Sequence, residues 1–277
     1  MMPKTVTLIR HGESESNLAK DLAEDGRAHE NEAALMRAHT SERRLTPLGV
    51  EQAKAAGAYI RDWMDRMQIT AADCRFYVSP YIRAMETAGH MQIPQALWRP
   101  ENRIVERNWG DMDQLTYAER AERYGEEMGL RKEHAFFWRP SSGETMQDVF
   151  DRYRLLVGTM HRECERMHVI MVTHGEFMWA ARALHEYWSP HDLREAMLDR
   201  QSQTGMHNCR IIQYSRMRYH QIKGIAPLLM NRLISVRFID PTAPDDPTQN
   251  MDWRRIERPT FSSDALLNFA ERYPHFL

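Results

Sequence analysis

The sequence predicts an α/β fold in three layers, a mostly parallel central sheet with helices on both faces. Three observations carry this. Short β-branched or apolar runs stand at 5–10 (TVTLIR), 75–78 (RFYV) and 168–173 (HVIMVT); each is followed by a turn-forming pair, His11-Gly12, Ser79-Pro80 or His174-Gly175; and beyond each turn lies a stretch of helical composition. Strand-turn-helix units, repeated, set strands side by side with crossover helices packed on the sheet.

Taken in chain order, the run at 5–10 is bounded by Pro3 and by His11-Gly12, and a helix is expected from Ser14. Residues 20–45 are polar and charged, with Gly26 and several His and Glu, and read as an insertion. Thr46-Pro47 then supplies an N-cap followed by proline at the first helical position, and Val50, Ala53, Gly57, Ile60, Met64 and Met67 recur at helical spacing. After the strand at 75–78, Ser79-Pro80 breaks the run and a helix extends to Met91. A further helix is expected over 116–128. A longer amphipathic stripe runs through Met146, Val149, Tyr153, Leu156, Val157, Met160, Cys164 and Met167, its methionines filling core. The run at 168–173 is apolar almost throughout, as a strand covered on both faces must be. Residues 208–215 (NCRIIQYS) make a late strand. From Ile222 the pattern weakens, with six prolines and PTAPDDPTQ at 241–249. The expected organisation is one domain over 1–220, with the insertion near 20–45, and an extension over 221–277 that could serve a protein partner or a second copy of the chain.

Composition narrows the function classes. The chain has 277 residues, 42% hydrophobic and 27% charged, and no apolar run near the roughly 18 residues of a membrane span, so no membrane partner is expected. The start, MMPKTVTLIRHGES, enters a strand without a secretory pattern, and Cys74, Cys164 and Cys209 lack CxxC spacing, which together predict a reducing, cytoplasmic setting. With 37 basic and 39 acidic residues mixed along the chain, no block offers a nucleic-acid footprint. The histidines, among them His29, His39, His134, His161, His185 and His207, show no ligand spacing such as HExxH, so neither metal nor cofactor is expected.

Ligands of open α/β sheets collect beyond the carboxyl ends of strands, where the next helices present free N–H groups. Arg10-His11, Ser79-Pro80 leading to Arg83, and Thr173-His174-Gly175 all stand at such ends. Two histidines and two arginines around one space suit phosphoryl transfer, in which negative charge spreads over three oxygens and catalysis is mostly positioning and electrostatics. Arginine binds phosphate with two parallel donors and stays charged. Two guanidinium groups also disfavour a second charge on imidazole, keeping His11 neutral and nucleophilic. Glu106 is the candidate for the proton donor that an alkoxide leaving group needs.

The blocks RHGESESN at 10–17, LTPLGVEQA at 45–53, SPYIRAMETA at 79–88, ERNWGDMD at 106–113 and VTHGE at 172–176 resemble the histidine phosphatase superfamily, the phosphoglycerate mutase-like fold, in the family's order over residues 4–215. The resemblance implies a phosphorylated substrate, His11 as the phosphorylated histidine, Arg10, Asn17, Arg83 and His174 holding the phosphate, the Gly175 N–H as a further donor and Glu106 as the acid. PSSGETMQDVFDR at 140–152 is similar to the family's segment before its long helix, and it implies Ser142 or Glu144 at the pocket mouth, with Trp109 and Glu176 as further candidates there. The Thr-Gly pair after the first motif and the lysine beyond the glutamate that mark cofactor-dependent mutases are missing: LAKDLAEDG follows the motif, Tyr117 stands near the lysine position, and Glu176 replaces the mutase asparagine. A phosphomonoesterase acting on a small molecule or a phosphoprotein is therefore favoured over a mutase. A non-catalytic phosphate-binding scaffold, and a metallohydrolase using His11, His174, Glu106 and Asp111, are the rivals from other classes. Each residue also has a bland reading: a surface ion pair of Glu106 with Arg103 or Arg107, a helix cap for Asn17, packing or capping for Ser142, Glu144, Trp109 and Glu176.

Overall fold

The computed structural model describes residues 1–199, 204–217 and 229–271, the side chain of Phe269 aside. Its strands are β1 (Thr5–Arg10), β2 (Cys74–Val78), β3 (Trp98–Pro100), β4 (His168–Thr173), β5 (Ile211–Ser215), β6 (Ser235–Ile239) and β7 (Met251–Arg255). Its helices are α1 (Glu15–Glu24), α2 (Glu32–Arg37), α3 (Pro47–Arg66), α4 (Ile82–His90), α5 (Tyr117–Glu133), α6 (Met146–Glu163), α7 (Gly175–His185), α8 (Pro190–Leu198) and α9 (Ser263–Ala270).

The strands make one seven-stranded sheet in the order β3-β2-β4-β1-β5-β6-β7. Strands β3, β2, β4 and β1 are parallel; β5 runs against β1, β6 against β5 and β7 against β6, so only β5 and β7 oppose the common direction. The fold is therefore the mostly parallel, three-layer α/β architecture. Strand β4 lies at the centre and is buried along its whole length. Its Val169 and Met171 join Val6, Leu8 and Tyr214 in a core shared with Tyr153 of α6 and Phe177 of α7. Its Ile170 and Val172 face the other way, packing with Ile9, Phe76 and Val78 against Ala53, Ile60 and Trp63 of α3 and Ala84 of α4. The two-residue period of the strand thus assigns one face to each helical layer.

Local chemistry sets the helix starts. Thr46 Oγ1 accepts the Gly49 N–H at 3.1 Å ahead of Pro47. Thr116 and Thr145 form reciprocal caps with Glu119 and Asp148. Ser14 caps α1 rather than belonging to it. The buried face of α3 ends at Met64, and Met67, at the C-cap, is exposed, because the helix stops before the stripe completes another turn. Helix α5 runs five residues beyond the stretch expected from sequence, with a kink at Tyr124. Helix α6 stops at Glu163, so Met167 lies outside it. Strand β5 begins at Ile211, because Asn208 and Cys209 turn to meet the backbone of His11. Residues 20–45 hold the end of α1, all of α2 and a return to α3, tied to α1 by the Glu15 N–H to Arg44 carbonyl bond at 3.0 Å. In the weakly patterned stretch from Ile222, residues 222–228 and 272–277 lie outside the described residues, while β6 and β7 continue the sheet.

Two buried histidines away from the sheet's carboxyl edge make folding sensitive to acid. His168 shares a 2.8 Å hydrogen bond with Thr5, and His185 one of 2.6 Å with Tyr153. Burial lowers both to about 4. The unfolded chain therefore binds protons that the folded chain refuses, and stability, complete above the ordinary histidine pKa near 6.5, falls as pH drops toward 4. Urea unfolding at pH 5 and pH 7 should differ by about 2 kcal/mol for each histidine, the folded state being weaker at pH 5. Equal midpoints would contradict it.

Candidate active site

The sheet register brings three turns to one edge. Arg10 pairs with Thr173 and Val78 with Val172 across the parallel strands. The chain then continues in step: the His11 N–H donates to the Thr173 carbonyl at 2.9 Å, and the Ser79 N–H to the Val172 carbonyl at 3.0 Å. His11, Ser79 and His174 are neighbours for that reason, and α4 and α7 begin beside them. Two glycines allow the first turn to settle against α3. A Cβ on Gly12 would lie 2.3 Å from the Gly49 carbonyl oxygen, and one on Gly49 would lie 2.0 Å from that of Glu13. The Gly12 N–H donates to Thr87 Oγ1 at 3.0 Å, fixing the same turn to α4.

His11 is 2% exposed and its two ring nitrogens have different partners. Nδ1 lies 2.7 Å from the Gly12 carbonyl, an acceptor only, so Nδ1 carries the proton. Nε2 lies 3.2 Å from Nε of Arg83, a donor only, so Nε2 presents its lone pair. Burial, then the charges of Arg83 and Arg10, hold the ring well below the usual histidine range, and it is neutral at pH 7. Arg83 is 4% exposed; its Nη1 donates to the Thr40 carbonyl at 2.6 Å, and burial brings its pKa down to about 10, leaving it charged. Arg10 donates Nη1 to the Met206 carbonyl, while its buried Nε has no hydrogen-bond partner. Carbonyls orient these guanidinium groups without neutralising them.

His174 is fully buried, with its ring 5.1 Å from that of His11 and 5.0 Å from that of Tyr81. Its Nε2 is 2.7 Å from Ser79 Oγ, which also accepts the Tyr81 N–H at 3.4 Å. A serine proton given to Nε2 would make Nδ1 an N–H, and Nδ1 is buried without a partner. Burial and the Arg83 charge keep this ring neutral too. The edge therefore collects two permanent cations, one imidazole lone pair and donors with nothing to donate to. Such a set fits a small oxyanion.

The family model described as histidine phosphatase superfamily (branch 1) matches residues 6–212, which contain all of these groups. The chain belongs to that superfamily. Among curated relatives it is similar to 6-phosphofructo-2-kinase/fructose-2,6-bisphosphatase of Gallus gallus, 25% identical over 274 residues that cover 98% of this chain and 47% of that protein. It is also similar to 6-phosphofructo-2-kinase/fructose-2,6-bisphosphatase 4 of Homo sapiens, 26% identical over 176 residues, covering 64% of this chain and 31% of that one. The chain thus spans about half, or less, of the length of these relatives. Among solved structures, a mycobacterial glucosyl-3-phosphoglycerate phosphatase in complex with VO3 shares the fold with a TM-score of 0.58 and 23% identity, over 76% of this chain and 92% of that one. Another, mycobacterial hydrolase 2, aligns over 99% of this chain and 100% of its own with a TM-score of 0.57 and 21% identity.

Within this histidine phosphatase fold the other sequence candidates fall into two groups. Asn17 joins His11 through Asn208, and Gly175 follows His174. Asn17 Oδ1 accepts from the Ser14 N–H, the Ser14 hydroxyl and Asn208 Nδ2 at 3.0–3.2 Å, which leaves its amide nitrogen as the free end. Gly175 opens α7, and a Cβ there would sit 3.5 Å from Arg10 Nε. Glu106 joins the same helix: its Oε1 accepts the Phe177 N–H at 3.3 Å and the Arg107 N–H at 3.1 Å. Burial, then the Glu176 carboxylate, raises the Glu106 pKa, with Arg83 and Arg10 opposing.

The second group is engaged elsewhere. Glu176 accepts from Trp109 Nε1 at 2.9 Å and from Arg131 Nη2 at 2.8 Å. Glu144 clamps Arg152 at 3.1 Å and the Asn108 N–H at 3.0 Å, binding the 106–108 segment to α6. Ser142 is exposed in a turn with φ of +61°, packed on Gly110. Asp111 is exposed and accepts the Ser141 hydroxyl at 2.8 Å, apart from the histidines. Sequence reading missed Asn208, whose Nδ2 also donates to the His11 carbonyl at 3.2 Å, together with Ser79 as a partner of His174, Thr40 as an anchor of Arg83, and Arg131 as a partner of Glu176.

The contact between the first turn and α3 can be tested alone. Gly49→Ala should cost about 1–3 kcal/mol of stability and weaken the binding of inorganic phosphate, measured by calorimetry. Gly89→Ala, whose added Cβ meets nothing within 4 Å, should do neither. Undiminished phosphate binding by the Gly49 variant would separate the two features.

Proposed function

We propose that the chain is a phosphomonoesterase that works through a phosphohistidine at His11. The observation that carries the proposal is the orientation of that ring: its proton is given to a backbone carbonyl and its lone pair faces a buried guanidinium, where a phosphate would lie. In the first step Nε2 attacks phosphorus and the bond to the ester oxygen breaks. Arg10 and Arg83 bind the phosphoryl oxygens, with the Nδ1–H of His174, the Gly175 N–H and the amide of Asn17 as further donors. Glu106, protonated, gives its proton to the departing alkoxide. In the second step the Glu106 carboxylate takes a proton from water as that water attacks phosphorus, and the P–N electron pair returns to Nε2, restoring neutral imidazole and protonated Glu106. The cationic charge comes from arginine, so full turnover in a chelator belongs to the proposal. Relatives named for phosphatase activity support this class of reaction on phosphate monoesters.

A screen over phosphorylated metabolites and phosphopeptides should show hydrolysis by the wild type and at least a 10³-fold loss in His11→Ala. Glu106→Gln should slow alkyl phosphates at least a hundredfold while slowing p-nitrophenyl phosphate much less, since nitrophenolate leaves without a proton. Equal turnover by wild type and His11→Ala would end the enzymatic proposal.

A further inference from the structure

Glu106 and Glu176 occupy alternate ends of one short hydrogen-bonded junction. Glu106 accepts the N–H of Phe177, the residue after Glu176, and the N–H of Arg107, the residue after itself. The Arg107 guanidinium turns the other way, with Nη1 at 3.7 Å from Glu176 Oε1. Arg131, from α5, donates to the same oxygen at 2.8 Å, and Trp109 donates to the second at 2.9 Å. Both guanidinium groups also lie against the Trp109 ring, at 4.8 Å for Arg131 and 5.1 Å for Arg107. Glu176 is therefore an immobilised carboxylate, and its fixed charge stands one peptide unit from the group that holds Glu106.

We infer that Glu176 is a positioning residue: held by Trp109, Arg107 and Arg131, it keeps a permanent negative charge beside Glu106, so that the acid carries its proton into the reaction. The inference rests on the phosphatase proposal and goes beyond it in naming what sets the protonation of the acid. Environments that push paired carboxyls apart divide acid from base. Arg107 and Arg131 lower the Glu176 pKa, while burial and Glu176 raise that of Glu106. The groups facing Glu106 are Glu176 from α7, Arg83 from α4, Arg10 from β1, Tyr81 before α4 and Arg107 beside it. Arg152 of α6 donates to the Glu106 backbone carbonyl at 3.2 Å. Within this set the cations act to ionise Glu106, and Glu176 opposes them.

The test uses the full chain and the pH dependence of kcat/KM for an alkyl phosphate. Glu176→Gln should move the alkaline limb to lower pH by about one unit, whereas Glu176→Asp, which keeps the charge, should leave it in place. With p-nitrophenyl phosphate neither variant should move that limb. A merely structural role would slow both esters by one factor at every pH and leave the limb in place, and that result would overturn the inference. Should Glu176→Gln fail to fold, Glu176→Ala decides in its place: a limb moved to lower pH supports the inference and an unmoved or raised limb refutes it. The Glu106 carboxyl followed by carbon NMR reads the same shifts without turnover. A wild type that hydrolyses no ester therefore removes the phosphatase proposal, whereas a Glu106 titration untouched by Glu176→Gln removes this one.

Discussion

A neutral imidazole pinned between a carbonyl and a guanidinium is the constraint on which the rest of this site depends. Gly12 accepts from Nδ1 of His11 and Arg83 donates to Nε2, so one tautomer satisfies both neighbours. The reversed tautomer would set two donors against each other at Arg83 and two acceptors against each other at Gly12. Burying Arg10 and Arg83 beside the ring costs solvation that backbone carbonyls only partly replace, and the same burial makes a second charge on His11 unfavourable. What looks like poor electrostatic design for stability is what the proposed anion-binding role requires. A bound phosphoryl group would supply the charge that the two arginines lack.

The fold supplies the geometry for this with few moving parts. Parallel pairing of β1 and β2 with β4 puts three turns at one edge in register, and a slip of one residue would send His11 or His174 to the opposite face. Segments distant in the chain then close the site: the Thr40 carbonyl on Arg83, Asn208 on His11 and Asn17, and the Glu32 carboxylate accepting the Tyr117 N–H at 2.7 Å to join the 20–45 stretch to α5. Glu106 and Glu176 differ in their partners, since guanidinium groups hold one carboxylate while the other, buried beside it, accepts backbone N–H groups.

How far this was legible in the sequence follows the reach of each interaction. The strands ending at Arg10, Val78 and Thr173 announce themselves by apolar runs cut off by a turn, so the order of the main elements and the meeting of His11, Arg83 and His174 could be read residue by residue. The Thr46-Pro47 start of α3 was legible because a cap is a local bond. Anchors that work through backbone carbonyls, such as Thr40 for Arg83 and Met206 for Arg10, leave no mark in side-chain identity. Asn208 was hidden within a run that reads as strand, although Cys209 there adopts φ of +57° to reach the His11 backbone. Strand β6, SVRFI, has ordinary strand composition, yet it stands among prolines and turns that mask it. Glu176 was noticed as a departure from the mutase pattern, but its partner Arg131 lies 45 residues away and no local spacing joins them.

Nitrogen NMR of the His11 ring tests the central claim most directly, because it reports which nitrogen carries the proton and whether the ring is charged. At pH 7, and on acidification well below the ordinary histidine range, Nδ1 should remain protonated and Nε2 bare, with the Nε2 signal moving when orthovanadate or phosphate binds. A ring protonated on both nitrogens at pH 7, or a proton on Nε2 in the free protein, would contradict the account.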